Sequence, residues 1–219
     1  MPDNAEHLGL RLEGVAIRLG GTRLLALSAQ VEPGETLTIM GASGSGKSSL
    51  IALIGGFLDP AFAASGHVFI GAREITELPT EQRRVGVLFQ DPLLFPHLST
   101  GENLLFAIPP ALSGRRERRQ IAEKALSQVG LDGFFDRDPD TLSGGQKARV
   151  ALQRVMISAP EVLLLDEPFS KLDTSLRQQT RRLVFDRAQA ERIPVVLVTH
   201  DHADAEDAGG TVVHLESMV

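Results

Sequence analysis

The sequence predicts an α/β fold with a mainly parallel sheet, an antiparallel β flap and an inserted helical sub-lobe. A short apolar strand at residues 36–40 leads into a glycine-rich loop and then a helix at 47–54. Three further apolar runs, at 85–89, 162–165 and 195–198, lack polar alternation, which is typical of strands covered on both faces. Between residues 90 and 142 the apolar spacing is helical instead, and this change indicates the insert.

Composition limits the function before any motif is considered. A chain of 219 residues is large enough for one α/β domain with a substantial core. Acidic residues exceed basic ones, 28 to 22, which gives a formal net charge of −6 and argues against a nucleic-acid partner. The sequence contains no cysteine, so disulfides and thiolate metal sites are excluded.

Apolar runs in the chain are short. None approaches the roughly 20 residues needed to cross a bilayer, and the first residues lack a basic stretch followed by an apolar one. We therefore expect a protein that is neither secreted nor membrane-spanning, and that docks onto a separate integral protein if it works at a membrane.

The first elements indicate the β flap. Residues 8–12 alternate like an edge strand, and 24–31 form a second candidate strand before the turn at 32–35. The helical insert is predicted from Ile121, Ala122, Ala125, Leu126 and Val129 at about 3.6-residue spacing, behind Ser113 as a cap.

The glycine-rich loop fits the phosphate-binding pattern G-x-x-x-x-G-K-[ST]. Its backbone N–H groups can close around phosphate oxygens, and the following helix points its positive end at them. We expect Lys47 to neutralise the β- and γ-phosphates, and therefore to act in catalysis as well as binding, and Ser48 to ligate Mg²⁺. A flexible linker is the alternative, but a linker does not join a strand to a helix. The residues assigned here are Gly41, Ala42, Ser43, Gly44, Ser45, Gly46, Lys47, Ser48 and Ser49.

Two adjacent carboxylates, Asp166 and Glu167, follow the apolar run at 162–165. Ligands of α/β sheets gather at the carboxyl ends of the strands. Because successive strand positions point to opposite sides, we expect Asp166 to face the metal and Glu167 to face an attacking water. The alternative is an ordinary acidic turn after a strand.

A second glycine turn at 142–146 precedes an apolar-periodic helix at 147–157. Its N–H groups and the Ser143 hydroxyl form another anion site. Since one loop cannot bind the phosphate held by the other, we expect a head-to-tail dimer in which each nucleotide is sandwiched between copies. A helix cap with glycines for tight packing is the alternative.

Two more polar residues follow predicted strands. His200 comes after the strand at 195–198 and is a candidate donor to the γ-phosphate, although taken singly it is as easily structural. Gln90 follows the strand at 85–89, where its amide can reach Mg²⁺ or water, and it is the hinge to the helical insert.

With these residues placed, nearly the whole chain resembles the ATP-binding subunits of ABC transporters, with the motifs in family order. The loop at 41–48 is similar to Walker A, Gln90 to the Q-loop glutamine, and 142–146 to the signature. Asp166 and Glu167 resemble Walker B and the catalytic base, residues 170–173 the D-loop, and His200 the switch histidine. The contacts that the resemblance implies with the nucleotide of a facing subunit come from Ser143, Gly144, Gly145, Gln146 and Asp173.

The resemblance implies one ATP-binding domain over residues 1–219, with a catalytic core at 1–89 and 143–219 and a helical subdomain at 90–142. It implies ATP and Mg²⁺ as cofactors, with Ser48, Gln90 and Asp166 as metal ligands, and hydrolysis by a homodimer. Residues 89–99 are similar to the importer branch, in which integral membrane permease subunits dock near Gln90 to Ser99.

The importer branch further implies a solute-binding protein, no nucleic acid, and a peripheral position on the cytoplasmic face of the bacterial inner membrane. Other jobs stay open: export, lipoprotein release, a cell-division complex, or a non-transport assembly scaffold that uses ATP to clamp. A non-enzymatic binding module is disfavoured because Glu167 is present.

One position departs from the family pattern. ABC ATPases usually stack adenine on an aromatic side chain before Walker A, but residues 1–56 contain no Phe, Tyr or Trp. Leu19 takes that position among the ATP-binding residues. Because aromatic stacking on a base is worth about 1–3 kcal/mol, we expect modest discrimination between ATP and GTP.

Overall fold

The computed structural model describes residues 9–42, 44–112, 114–170 and 172–215, and of residue 175 only the backbone. In chain order the strands are β1 (Leu10–Leu19), β2 (Thr22–Val31), β3 (Thr36–Gly41), β4 (Phe62–Ile70), β5 (Arg73–Glu74), β6 (Val85–Phe89), β7 (Val162–Asp166), β8 (Val195–Val198) and β9 (Thr211–Leu215). The helices are α1 (Lys47–Gly55), α2 (Thr100–Ala107), α3 (Arg115–Ser127), α4 (Gly144–Ile157), α5 (Thr174–Ala190) and α6 (His202–Ala208).

The described chain forms two compact units. The first, here the sheet unit, contains residues 9–87, 161–167 and 181–215. The second, here the helical unit, contains residues 88–160 and 168–180. The helical unit is thus larger than the predicted insert at 90–142, because α4 and the segment after Glu167 pack with it.

A five-stranded sheet in the order β6-β7-β8-β3-β9 confirms the predicted fold class. β3 runs parallel to both β8 and β9, and β7 runs parallel to β8. All four residues of β8 are buried, as predicted from its unbroken apolar run. Because these strands are parallel, the polar residues that follow β3, β7 and β8 emerge at one edge of the sheet.

The predicted flap is a four-stranded antiparallel sheet in the order β2-β1-β4-β5. β1 was predicted as an edge strand at 8–12, and this was wrong: β1 pairs with β2 on one side and with β4 on the other. Leu10, Leu12, Val15 and Ile17 of β1 are buried in a core shared with β3 and α1. The alternation that suggested an edge marks instead one buried face of an interior strand.

Helix α1 is fixed at its carboxyl end by a buried arginine. Gly56 caps the helix in a left-handed conformation with φ 84°. The Arg83 guanidinium donates to the carbonyl oxygens of Leu53 at 2.7 Å and Ile54 at 3.1 Å. It also donates to the carbonyls of Thr76 at 2.6 Å and Leu78 at 2.7 Å. Arg83 therefore adds donors for the carbonyl groups at the end of the helix, where Leu53 also accepts from the Gly56 N–H at 3.2 Å.

Both α2 and α4 of the helical unit begin with a reciprocal cap. The Ser99 hydroxyl accepts from the backbone N–H of Glu102, and the Glu102 carboxylate accepts from that of Ser99. Such a box satisfies two N–H groups at a helix start. Helix α3 begins after Gly114, while Ser113, its predicted cap, lies outside the described residues. In the described part of the chain, no helix has the length and apolar character needed to cross a membrane.

Candidate functional site

The start of α1 is open to an anion. Its N-cap residue, Gly46, has φ 84° and no side chain that could cap the helix. Gly44 also lies in the left-handed region, at φ 82°. Glycine adopts this conformation without strain, so the loop can turn its N–H groups inward. Of the predicted phosphate-binding residues, Ser43 lies outside the described residues.

Lys47 is buried at the same loop. Its Nζ donates to the carbonyl oxygens of Gly41 at 2.8 Å and Ala42 at 2.7 Å. An ammonium group has three N–H donors, and these two bonds hold its charge against the glycine turn. The side chain is therefore positioned where the sequence predicts phosphate.

Ser48 and Asp166 meet next to Lys47. The Ser48 hydroxyl donates to Oδ1 of Asp166 over 3.2 Å. Burial raises the pKa of the Asp166 carboxyl, while the hydrogen bond from Ser48 acts in the opposite direction. Both groups offer oxygen, the donor that Mg²⁺ prefers, and neighbouring oxygens around an octahedral Mg²⁺ lie about 3 Å apart. The pair fits the predicted magnesium site.

Glu167 follows the last residue of β7 and has an unusual backbone. Its φ is 46°, in the left-handed region that residues other than glycine rarely adopt. Its N–H donates to the carbonyl of Val198 at 2.9 Å, which fixes the turn. The prediction that strand alternation separates the two carboxylates was wrong, because β7 ends at Asp166 and this turn sets the direction of Glu167.

His200 lies beside Glu167. Its Nδ1 is 3.1 Å from Oε1 of the Glu167 carboxylate, and the imidazole is largely exposed. Sequence analysis missed the residues that support its loop. The Thr199 hydroxyl donates to Asp204 at 2.8 Å and accepts from the Asp201 N–H at 3.0 Å. Arg181 pairs with Asp204 at 3.2 Å, and all three side chains of Thr199, Asp204 and Arg181 are buried.

A cleft of about 340 Å³ opens beside the phosphate loop in the sheet unit. The residues that line it are Leu19, Leu24, Gly44, Gly46, Lys47, Ser48, Ser49, Phe62 and Glu167. Leu19 was predicted to contact ATP, and it lines the same cleft as Gly44, Gly46, Lys47, Ser48 and Ser49, which were predicted to bind phosphate. Phe62 was not predicted, and strand pairing places it opposite Leu19.

The second glycine turn begins α4 in the helical unit. The Ser143 hydroxyl accepts from the backbone N–H of Gln146 at 3.3 Å, and Gln146 Oε1 accepts from that of Ser143 at 2.9 Å. A Cβ on Gly144 would meet nothing within 4 Å, whereas one on Gly145 would come within 1.7 Å of Leu176. Gly144 is thus open, and Gly145 allows close packing.

The remaining predicted residues belong to the helical unit. Gln90 lines a largely apolar cavity of about 200 Å³ together with Pro92, Lys147 and Leu172. Asp173 accepts a hydrogen bond at Oδ1 from the Leu176 N–H over 3.1 Å, as a cap of α5 does. The roles of Gln90 at the metal and of Asp173 at a facing subunit stay predictions.

Comparison with known proteins identifies the family. The ABC transporter domain matches residues 24–170. The uncharacterized ABC transporter ATP-binding protein YnjD of Escherichia coli K12 is 47% identical over 196 residues, 89% of this chain and 90% of that protein. The Fe(3+) ions import ATP-binding protein FbpC of Brucella melitensis is 39% identical over 202 residues, and the match covers 92% of this chain but 56% of that relative.

A solved structure agrees with these matches. The ATP-binding cassette MJ0796, described as a dimer in a post-hydrolysis state bound to ADP and Pi, superposes with a TM-score of 0.80 and 29% identity. The match covers 96% of this chain and 97% of that one. The chain therefore belongs to the ABC transporter family and is one of its ATP-binding, ATP-hydrolysing subunits.

Proposed function

We propose that this ATPase works as a head-to-tail dimer that couples Mg-ATP hydrolysis to movement of separate membrane subunits in an importer. The observation that carries the proposal is that one chain has two glycine turns that each begin a helix, α1 and α4, where backbone N–H groups favour an anion. The first is lined by groups for hydrolysis, Lys47, Ser48 and Glu167. The second carries Ser143 and the open Gly144.

The residues that carry out hydrolysis belong to the sheet unit. Phosphoryl transfer to water needs a positioned nucleophile and positive charge at the phosphate oxygens. Lys47 supplies a fixed charge at the loop, and Ser48 and Asp166 would hold Mg²⁺, which would supply further positive charge to the phosphate oxygens. Glu167 accepts the proton of the attacking water, and His200, beside it, steadies the γ-phosphate.

The turn of α4 acts on the nucleotide of the facing copy. The cap at Ser143 and Gln146 orders the first turn of the helix, whose N–H groups favour an anion. A Cβ at Gly144 would have no atom of the described residues outside its own helix turn within 4 Å, so the space beside it is available to a partner's γ-phosphate. The dimeric form of MJ0796 supports this arrangement.

Membrane subunits dock on the helical unit next to Gln90. Leu93 and Phe106 are 57% and 70% exposed, which is unusual for large apolar side chains. Phe95 packs edge-on against Phe106 at 5.0 Å between ring centroids. Arg154 of α4 donates to the carbonyl of Leu93 at 2.8 Å, so movement at this surface reaches the helix that begins at Gly144.

The import direction is supported by the name of the Brucella relative and by the importer-like segment at 89–99. A peripheral position at the cytoplasmic face of the bacterial inner membrane and a solute-binding protein in the same system complete the proposal. Service in an exporter, a lipoprotein-release complex or a cell-division complex is the second candidate, and a non-transport scaffold is the third.

Equilibrium sedimentation tests the dimer. With Mg-ATP, Glu167→Gln should sediment as a dimer, and without nucleotide as a monomer. Glu167→Gln combined with Gly144→Glu, which places a negative charge in the partner-facing turn, should stay monomeric under both conditions. A monomer for Glu167→Gln at saturating Mg-ATP contradicts the sandwich. Purification of the tagged chain from its own membranes then identifies the system: permease subunits with a solute-binding protein support import, and permease subunits without one favour the second candidate.

A further inference from the structure

The base of the nucleotide lacks an aromatic partner upstream of the phosphate loop, but strand pairing provides one from downstream. β1 and β4 pair antiparallel, and Leu19, the last residue of β1, lies opposite Phe62, the first residue of β4. Both side chains line the 340 Å³ cleft that contains Lys47 and Ser48. We propose that Phe62 is the aromatic residue on which the nucleobase stacks, with Leu19 packing beside it.

The register puts both side chains on the same face of the sheet. Residues directly opposite in an antiparallel pair have Cβ atoms about 4.5–5.5 Å apart and share a face. Leu19 is 42% exposed and Phe62 is partly exposed, so a flat surface is available to a ligand. Leu24 of β2 lines the same cleft and extends this surface.

The apolar residues of the cleft begin close to the phosphate loop. A Cβ placed on Gly46 would lie 3.2 Å from Leu24 Cβ, so the apolar wall begins directly beside the loop. Leu19 and Phe62 line the same cleft as Gly46 and Lys47, so a nucleotide whose phosphates sit at the loop can place its base against this apolar wall. The inference rests on the proposed phosphate site and names the residue that holds the other end of the same ligand.

Base selectivity follows from the lining. Among the described residues of the cleft, the side chains able to form hydrogen bonds are Lys47, Ser48, Ser49 and Glu167. Lys47, Ser48 and Ser49 lie at the start of α1, and Glu167 follows β7, so all four are in the part of the cleft assigned to phosphate, Mg²⁺ and water. Phe62 offers a ring face, which stacks on any base without reading its edge. ATP and GTP should consequently bind with similar affinity and lose the same factor when the ring is removed.

Titration with ADP, GDP and inorganic pyrophosphate, each with Mg²⁺, separates the base from the phosphates. Phe62→Ala and Phe62→Leu should weaken ADP and GDP about tenfold or more and leave pyrophosphate unchanged. Leucine keeps an apolar side chain in the strand, so its loss of affinity reports the ring and not unfolding. Phe69→Ala is the matched control, because Phe69 lies on β4, is partly exposed and packs against Arg11 outside the cleft.

The chain contains no tryptophan or tyrosine, so Phe62→Trp installs a single reporter. ADP and GDP should quench its fluorescence, and pyrophosphate should not. Unchanged nucleotide affinity in Phe62→Leu, or absence of quenching by bound ADP, overturns the assignment of Phe62. Lys47→Ala tests the phosphate site separately: it should weaken all three ligands, and normal pyrophosphate binding in this variant would contradict the phosphate site instead.

Discussion

The Glu167 carboxylate and the His200 imidazole lie 3.1 Å apart, at the ends of two adjacent parallel strands. Glu167 is the proposed general base and His200 the proposed contact to the γ-phosphate. Because the two side chains touch, each helps to position the other. Residues that act as one unit in catalysis have strongly non-additive effects when they are replaced.

Replacing Glu167 by Gln should lower ATP turnover at least about 100-fold, because the amide cannot accept the proton of water. Nucleotide affinity should be kept, since the amide has nearly the same size. Phosphate release measures turnover, and titration with Mg-ATP measures binding. His200→Ala should add little further loss in the Glu167→Gln background; near-normal turnover of Glu167→Gln would assign the base to another residue.

Asp166 gives a prediction that depends on pH. Burial raises its pKa above the ordinary value of 3.8, so the folded protein binds this proton more tightly than the unfolded chain. The ionised side chain therefore destabilises the protein at neutral pH, and this effect disappears as the pH falls toward 3.8. Asp166→Asn should raise the melting temperature of the nucleotide-free protein at pH 7.5, and this effect should shrink as the pH is lowered toward 3.8.

The same substitution should abolish the additional stabilisation by Mg-ATP over ATP with chelator, because a metal ligand is lost. Asp132→Asn, at an exposed position in the helical unit, is the control and should change neither quantity. A lower melting temperature for nucleotide-free Asp166→Asn at pH 7.5 would contradict the assigned cost of burying this charge.

Gly144 and Gly145 should respond oppositely to alanine. A Cβ at Gly145 would lie 1.7 Å from Leu176, so Gly145→Ala should lower the melting temperature. At Gly144 nothing lies within 4 Å, so Gly144→Ala should melt like the parent protein yet lose ATPase activity by crowding the partner's nucleotide. Thermal melts and steady-state turnover distinguish the two. Leu176→Ala should cancel much of the Gly145→Ala effect, and additive effects would argue against this contact.

The neighbouring residues Arg83 and Arg84 should differ in how much they contribute to the free energy of unfolding. Arg83 is 6% exposed and donates to four carbonyl groups, and burial lowers the pKa of its guanidinium. Arg83→Met should reduce the free energy of unfolding by about 3 kcal/mol, because it leaves buried carbonyls without donors. The side chain of Arg84 is 70% exposed and pairs with Glu161, so Arg84→Met should cost about 0.5 kcal/mol. Denaturant unfolding measures both, and equal losses would contradict the anchoring role of Arg83.

Local signals were sufficient for much of the fold. The buried strands at 162–165 and 195–198 follow from continuous apolar runs, and the loop before α1 follows from the residue types that a phosphate cradle needs. These features are set by neighbours in sequence, which is why they can be predicted from sequence alone. The strand at 85–89 was also predicted to be covered on both faces, but its residues alternate between partly buried and buried.

Pairing across long distances in sequence was not predictable in the same way. The interior position of β1 depends on its pairing with β4. Ser65 and Gly66 interrupt the apolar pattern in the sequence of β4, so this strand is hard to predict. The role proposed for Phe62 depends on the same pairing, because Phe62 lies downstream of the phosphate loop and only the fold brings it opposite Leu19. The turn at Glu167 depends on a backbone hydrogen bond to Val198, and no residue type in the sequence signals it.

The left-handed backbone at Glu167 has an evolutionary consequence. Glycine would fit this turn with less strain, by about 1 kcal/mol, but would remove the carboxylate. A change of Glu167 to glycine is therefore expected to give a more stable protein that no longer hydrolyses ATP. If ATP hydrolysis were no longer needed, replacement of Glu167 by glycine would leave a protein that binds nucleotide without hydrolysing it. A glutamate at this strained position therefore indicates selection for ATP turnover.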